Sequence, residues 1–175
     1  MQPWFQFYAV IAGAAATLLG LLFVSVSVNA AVILGAGHEN TRHLAEQAFQ
    51  NYVAVMTVSL LALFPGISTP MFSWVALSLI ALSAGWVLAR VWLVFVRRSD
   101  REPLLPFLRR YLSSLIGFGM LTFAALRMAL GLGGERNLFA ASDMVLLLSA
   151  TNVSWELLIR ISRARSLVQP PNPQG

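Results

Sequence analysis

FYAVIAGAAATLLGLLFVSVSVNAAVIL, from Phe7 to Leu34, contains no acidic, basic or histidine side chain. About 20 apolar residues in helical form cross the hydrocarbon core of a bilayer, so this run is long enough to cross with tilt. Similar runs recur along the chain at about Phe49–Phe64, Met71–Val96, Tyr111–Leu132 and Leu138–Ile159. The interior of a water-soluble domain seldom carries such runs. The expected fold is therefore all-α, a polytopic transmembrane helix bundle of five spans. Residues 1–167 form its single domain, and 168–175 a disordered, Pro-rich tail.

Composition agrees with this. The 175 residues are 58% hydrophobic and only 11% charged, and the mean hydropathy is +0.73. All twelve basic residues are Arg. They cluster beside the apolar runs, the pattern of membrane orientation and anionic-lipid contact rather than of nucleic-acid binding. Nothing basic precedes the first run, and the run is long, which favours an uncleaved span over a signal peptide.

The breaks carry recognisable punctuation. GHENTRHLAEQAFQN, Gly37 to Asn51, is the longest. Asn40 is expected to cap a short helix there that continues into span two, with Thr41 to Gln47 as a solvated turn. Pro65 and Gly66 end span two, Thr69 caps span three and Pro70 opens it. RRSDREP at Arg97–Pro103 follows, then an interfacial segment that includes Arg109 and Arg110. Gly133 and Gly134 stop span four, and Asn137 caps span five. Five spans place Arg42, Arg97, Arg98, Arg101, Arg109, Arg110, Arg160, Arg163 and Arg165 on one side and Arg136 on the other. The positive-inside rule then puts the N-terminus out and the C-terminus in the cytoplasm.

Four charges fall inside expected spans, where each needs a partner or a function. Arg127 and Asp143 lie about five residues from the same membrane face, so at roughly 1.5 Å per residue they are level and can pair. Arg90 and Glu156 are level near the opposite face. Glu156 has a second candidate in Arg160, four residues on along its own helix. Span five carries Ser142, Ser149, Asn152 and Glu156 on one face. With Asn29 and Glu46 these residues either line a polar path or hold helices together. Small residues at helix-face spacing, Gly13, Ala16 and Gly20 in span one, Gly85 in span three and Gly117 in span four, are expected at helix contacts within the chain, with an oligomer interface as the alternative. Trp4, Tyr8, Trp74, Trp92 and Tyr111 sit near span ends, as an aromatic belt does.

Several chemistries have no residues to carry them. The chain has no Cys and no Lys, and its two histidines, His38 and His43, both lie in the first break. That excludes disulfides, a retinal Schiff base and a bis-histidine haem within the bundle. The two histidines, without a carboxylate triad, make a poor metal site; a pH-sensing role is the sharper alternative for them. There is no GxSxG, HExxH or P-loop motif. No cofactor is implied, and an enzyme is the weakest reading.

GAAATLLGLLFVSVSVN at Gly13–Asn29, RHLAE at Arg42–Glu46, LLALFPG at Leu60–Gly66 and NVSWELLIRI at Asn152–Ile161 together resemble a family of uncharacterised small bacterial membrane proteins. The likeness covers about the first 70 residues and the last 20. It implies a five-span, multi-pass protein of the bacterial inner membrane and draws attention to Asn29, Glu46 and Asn152. Two functions follow from these readings. One is an accessory or regulatory bundle that acts with a membrane-protein partner. The other is a homo-oligomeric channel or transport-like protein with a polar path along span five.

Overall fold

The structure, a computed structural model, describes residues 3–34, 39–96, 104–132 and 135–168. Within that range the side chains of Arg90, Arg109, Arg110, Tyr111, Arg136 and Arg165, among others, are outside the description. The described residues form six helices and no strand: α1 (Pro3–Val28), α2 (Ala30–Leu34), α3 (Glu39–Leu63), α4 (Thr69–Val96), α5 (Leu104–Ala129) and α6 (Glu135–Val168). Five are long; α2 has 5 residues. The all-α expectation holds.

Two stretches are long and apolar enough to cross a membrane, Trp4–Val28 of α1 and Asn137–Ala164 of α6. Pro70–Ser83 and Ser114–Ala129 are shorter apolar stretches among the described residues. Helix boundaries depart from expectation in several places. The first span is interrupted at Asn29, whose side-chain amide donates to the Ser25 carbonyl at 2.7 Å. α3 runs unbroken from Glu39 to Leu63, so the helix of the polar break continues into span two as expected, with Asn40 inside it and not capping it. Thr41, Leu44, Ala45 and Gln47 are buried rather than solvated. At the start of α4 the Ser68 carbonyl accepts from the Phe72 amide at 2.9 Å, so Ser68 and not Thr69 holds the cap position.

α5 is closed by Gly131 rather than by the Gly133–Gly134 pair, which lies outside the described residues. Gly131 has φ 68°, a left-handed conformation that glycine adopts without strain. Its amide donates to the Met128 carbonyl, and the Leu132 amide to the Arg127 carbonyl, both at 3.1 Å. This pair of bonds is the Schellman closure. Gly66 (φ 80°) makes the turn after α3, as Pro65–Gly66 led us to expect. α6 continues to Val168, past the expected end of span five and through the basic segment. The Pro-rich remainder, 169–175, lies outside the described residues.

α3 is the central helix. It packs against α1, α4 and α6, while α5 packs against α4 and α6. Two apolar clusters hold the bundle together. One joins Ile11, Val55, Phe72, Ile80, Phe118, Leu121 and Leu146. The other joins Leu22, Leu44, Tyr52, Val153, Leu157 and Ile161. Leu147 packs against both. Tyr8 belongs to the first core cluster rather than to a surface belt, whereas Trp74 and Trp92 are exposed.

Candidate functional site

The centre of interest is a set of polar side chains shut between α3, α5 and α6. Gln47, Asn51 and Ser59 lie at multiples of four residues along α3, which keeps them along one ridge of the helix. All three are buried, as are Ser114 of α5 and Ser149 of α6. The Gln47 amide donates to Ser114 Oγ at 3.1 Å, and the Asn51 amide donates to the same oxygen at 2.8 Å. A hydroxyl has two lone pairs and one proton. With both lone pairs taken, Ser114 must donate its proton to Ser149 Oγ, 3.0 Å away. Asn51 also reaches Ser149 at 3.4 Å. Next to Asn51 in the chain, Tyr52 Oη bridges Thr151 and Ser154 of α6, each at 3.4 Å. The cluster ties three helices through side chains alone.

Asp143 lies further along the α3–α6 contact and is fully buried. Ser59 Oγ donates to its Oδ2 at 3.1 Å, and its Oδ1 has no partner. The ion pair expected between Arg127 and Asp143 is not formed. Asp143 faces α3. Arg127 stands in the last turn of α5, where it donates to the Leu132 carbonyl at 3.4 Å and lies 5.9 Å from the centre of the Phe123 ring. A cation there is favoured by the unsatisfied carbonyls at the helix C-terminus. Equal depth did not put the two groups on facing sides of their helices.

Glu156 pairs with Arg160 of its own helix at 2.6 Å, half-exposed; its other expected partner, Arg90, has a side chain outside the described residues. α4, which carries Arg90, packs on α5 and α3 and makes no extensive contact with α6. Glu46 pairs with Arg42 at 3.0 Å and meets His43 at 3.5 Å. Asn152 is exposed. The five residues considered for a path therefore divide. Ser149 is in the buried cluster, Asn152 is on the outer surface, Glu156 and Glu46 are paired on their own helices, and Asn29 donates to Ser25 while its Oδ1 is buried without a partner.

The small residues also divide. A Cβ added at Gly13, Gly20 or Gly85 would meet nothing within 4 Å, and Ala16 is exposed. These four do not pack helices of this bundle together, contrary to expectation. Gly117 does: a Cβ there would lie 2.6 Å from Leu146 Cδ2.

Gln47, Asn51, Ser59 and Ser114 were not singled out from sequence. Gln47 falls in the stretch expected to be a solvated turn, and Asn51, where the polar break runs into span two, carries no expected role. The available signal was their four-residue spacing on a helix that enters an apolar span. Among the described residues no group of three or more His, Asp and Glu could hold a metal ion. No protein family, curated protein or solved structure matches the chain, so function rests on the residues themselves.

Proposed function

We propose that the protein is a non-enzymatic, multi-pass bundle of the bacterial inner membrane that acts as an accessory or regulatory partner of other membrane proteins. The observation that carries this reading is the outward face of α1. Ala9, Gly13, Ala16 and Gly20 are all exposed, at alternating spacings of four and three, and large apolar residues flank them (Leu21 62% exposed, Phe23 65%). In water such a face is a liability. In lipid, small residues in this register admit another helix at close range.

Membrane embedding is supported by the inverted distribution of side chains. Only 22% of the α1 stretch and 33% of the α6 stretch are buried in the chain, so neither reads as the core helix of a soluble fold. Large apolar groups point outward from the other long helices too, among them Leu60, Trp74 and Phe123. Polar groups instead meet one another inside. The five-span reading draws on α1, α3, α4, α5 and α6, each 25 residues or longer. At roughly 1.5 Å per residue each exceeds a 30 Å hydrocarbon core. α3 is central, and its neighbours screen Gln47 and Asn51 from lipid. With the N-terminus out and the C-terminus in, the Arg clusters meet anionic headgroups on the cytoplasmic side. Reporter fusions in the Phe64–Ser68 turn and after residue 168 should report opposite sides, the latter cytoplasmic. A periplasmic C-terminus would sink the topology.

The channel reading is weaker, since the buried cluster closes on itself between three helices and Asn152 and Glu156 lie outside it. The test pairs flux with cross-linking. Reconstituted protein should show no ion flux, and a photo-cross-linker at Ala16 should capture a different membrane protein. Gly13→Leu with Gly20→Leu should abolish that adduct without loss of folding. Flux that disappears in a stably folded Ser149→Ala, Asn152→Ala double variant would replace this reading with the channel.

A further inference from the structure

Near its middle α6 exposes a polar group, Asn152, that no described residue matches. Several exposed hydroxyls turn back on their own helices. Thr17 donates to the Gly13 carbonyl at 2.8 Å, Ser78 to Trp74 at 2.9 Å and Thr151 to Leu147 at 2.9 Å. The Asn29 amide does the same with Ser25 at 2.7 Å. Asn152 does not: its amide is exposed and bonds to no other described residue. It lies near the middle of the Asn137–Ala164 stretch, about 20 Å from either end. If α6 spans, this amide faces hydrocarbon, where a donor and acceptor without partners are costly.

The surroundings of Asn152 are those of an interface. Met144, Leu148, Trp155 and Ile159 are 50, 64, 67 and 38% exposed. Together with Asn152 they follow spacings of 4, 4, 3 and 4, a single stripe about 80° wide on a helix of 3.6 residues per turn. That is the register of a helix–helix seam, and one Asn in an apolar seam sets its alignment.

We propose that this stripe is the contact between two parallel copies of the chain, in which Asn152 hydrogen-bonds to the partner's Asn152 across a two-fold axis normal to the membrane. A second copy is the occupant that fits best. A carboxamide is donor and acceptor at once, so it complements itself. Insertion in one orientation puts Asn152 at the same depth in every copy. A two-fold axis then brings that residue against its own equivalent. Any other partner would have to present a matching polar group at that depth. This inference rests on α6 being a span, as proposed above. It does not depend on the α1 face, which stays open for another protein.

The chain has no cysteine, so single-cysteine variants of the full-length protein give unambiguous cross-links. In native membranes under oxidation, Leu148→Cys and Trp155→Cys should form disulfide dimers, and Leu82→Cys on the outer face of α4 should not. Adding Asn152→Leu should raise the dimer dissociation constant roughly tenfold, measured by energy transfer between labelled copies in liposomes. Asn152→Gln, which keeps the amide, should restore association. Absence of dimers at 148 and 155 would overturn the proposal, as would dimers undiminished by Asn152→Leu. Extraction by alkaline carbonate would remove the membrane reading itself, whereas a membrane-integral monomer would refute the dimer alone.

Discussion

Gly117→Val should destabilise the bundle by about 2–3 kcal/mol, through overpacking at the α5–α6 contact. A Cβ at this position would lie 2.6 Å from Leu146 Cδ2, 2.7 Å from its Cγ and 3.5 Å from its backbone nitrogen. Leu146 is fully buried and belongs to the main core cluster, so its side chain has no free space to swing into. Cγ is not a flexible tip, and relief requires that one helix move. Valine adds two more methyl groups to the collision. Gly13→Val, Gly20→Val and Gly85→Val provide the contrast: nothing lies within 4 Å of their new Cβ atoms. In detergent they should stay within about 0.5 kcal/mol of the wild type. Leu146→Ala should partly rescue Gly117→Val, although each alone is harmful, because the second change supplies the space that the first one needs. Denaturation in mixed micelles reads all of these. A Gly117→Val variant as stable as Gly20→Val would show that α5 and α6 do not meet in this way.

Asn51→Ala should cost about 1–2 kcal/mol, the second largest effect expected from a single side chain. Asn51 is fully buried and donates to both Ser114 and Ser149. Its loss leaves Ser114 with the Gln47 donor only and weakens the hold of α3 on both partner helices. The magnitude follows from about 0.6 kcal/mol for an average interhelical hydrogen bond in a membrane protein, up to about 1.7. Shared partners make such effects non-additive. In the double-mutant cycle, Asn51→Ala and Ser114→Ala should therefore couple by about 0.6–1.7 kcal/mol. Asn51→Ala with Glu156→Ala should be additive, since Glu156 is held by Arg160 and shares no partner with Asn51. A coupling of zero between Asn51 and Ser114 would remove the cluster as the tie between these helices.

The two effects mark where sequence reasoning reached and where it stopped. The small-residue pattern named Gly117 correctly, yet it named Gly13, Gly20 and Gly85 on equal terms. Spacing identifies a face that another helix can approach; it does not say whether a helix of the same chain is there. In α1 the opposite face, with Tyr8, Ile11, Ala15 and Leu22, is the one buried. The outward stripe is left for something else. Asn51 was overlooked because it stands where the polar break meets the apolar run, and only the packing of α3 at the centre of the bundle turns it inward.

What the sequence determines by itself is what depends on near neighbours in the chain. Apolar run lengths and breaks set an all-helical fold with five long helices. Pro65 and Gly66 set the turn after α3, and the four-residue step from Glu156 to Arg160 sets their ion pair. Each follows from backbone sterics or from helix periodicity, which act over a few residues. The tertiary structure decided everything that depends on rotation about a helix axis. Arg127 and Asp143 match in depth but face different helices, and Ser149 is enclosed while Asn152, three residues on, is exposed. Depth accumulates at a fixed rise per residue and can be counted along the chain. Facing direction is chosen by how large and small side chains on several helices fill space together, and no single helix contains that information.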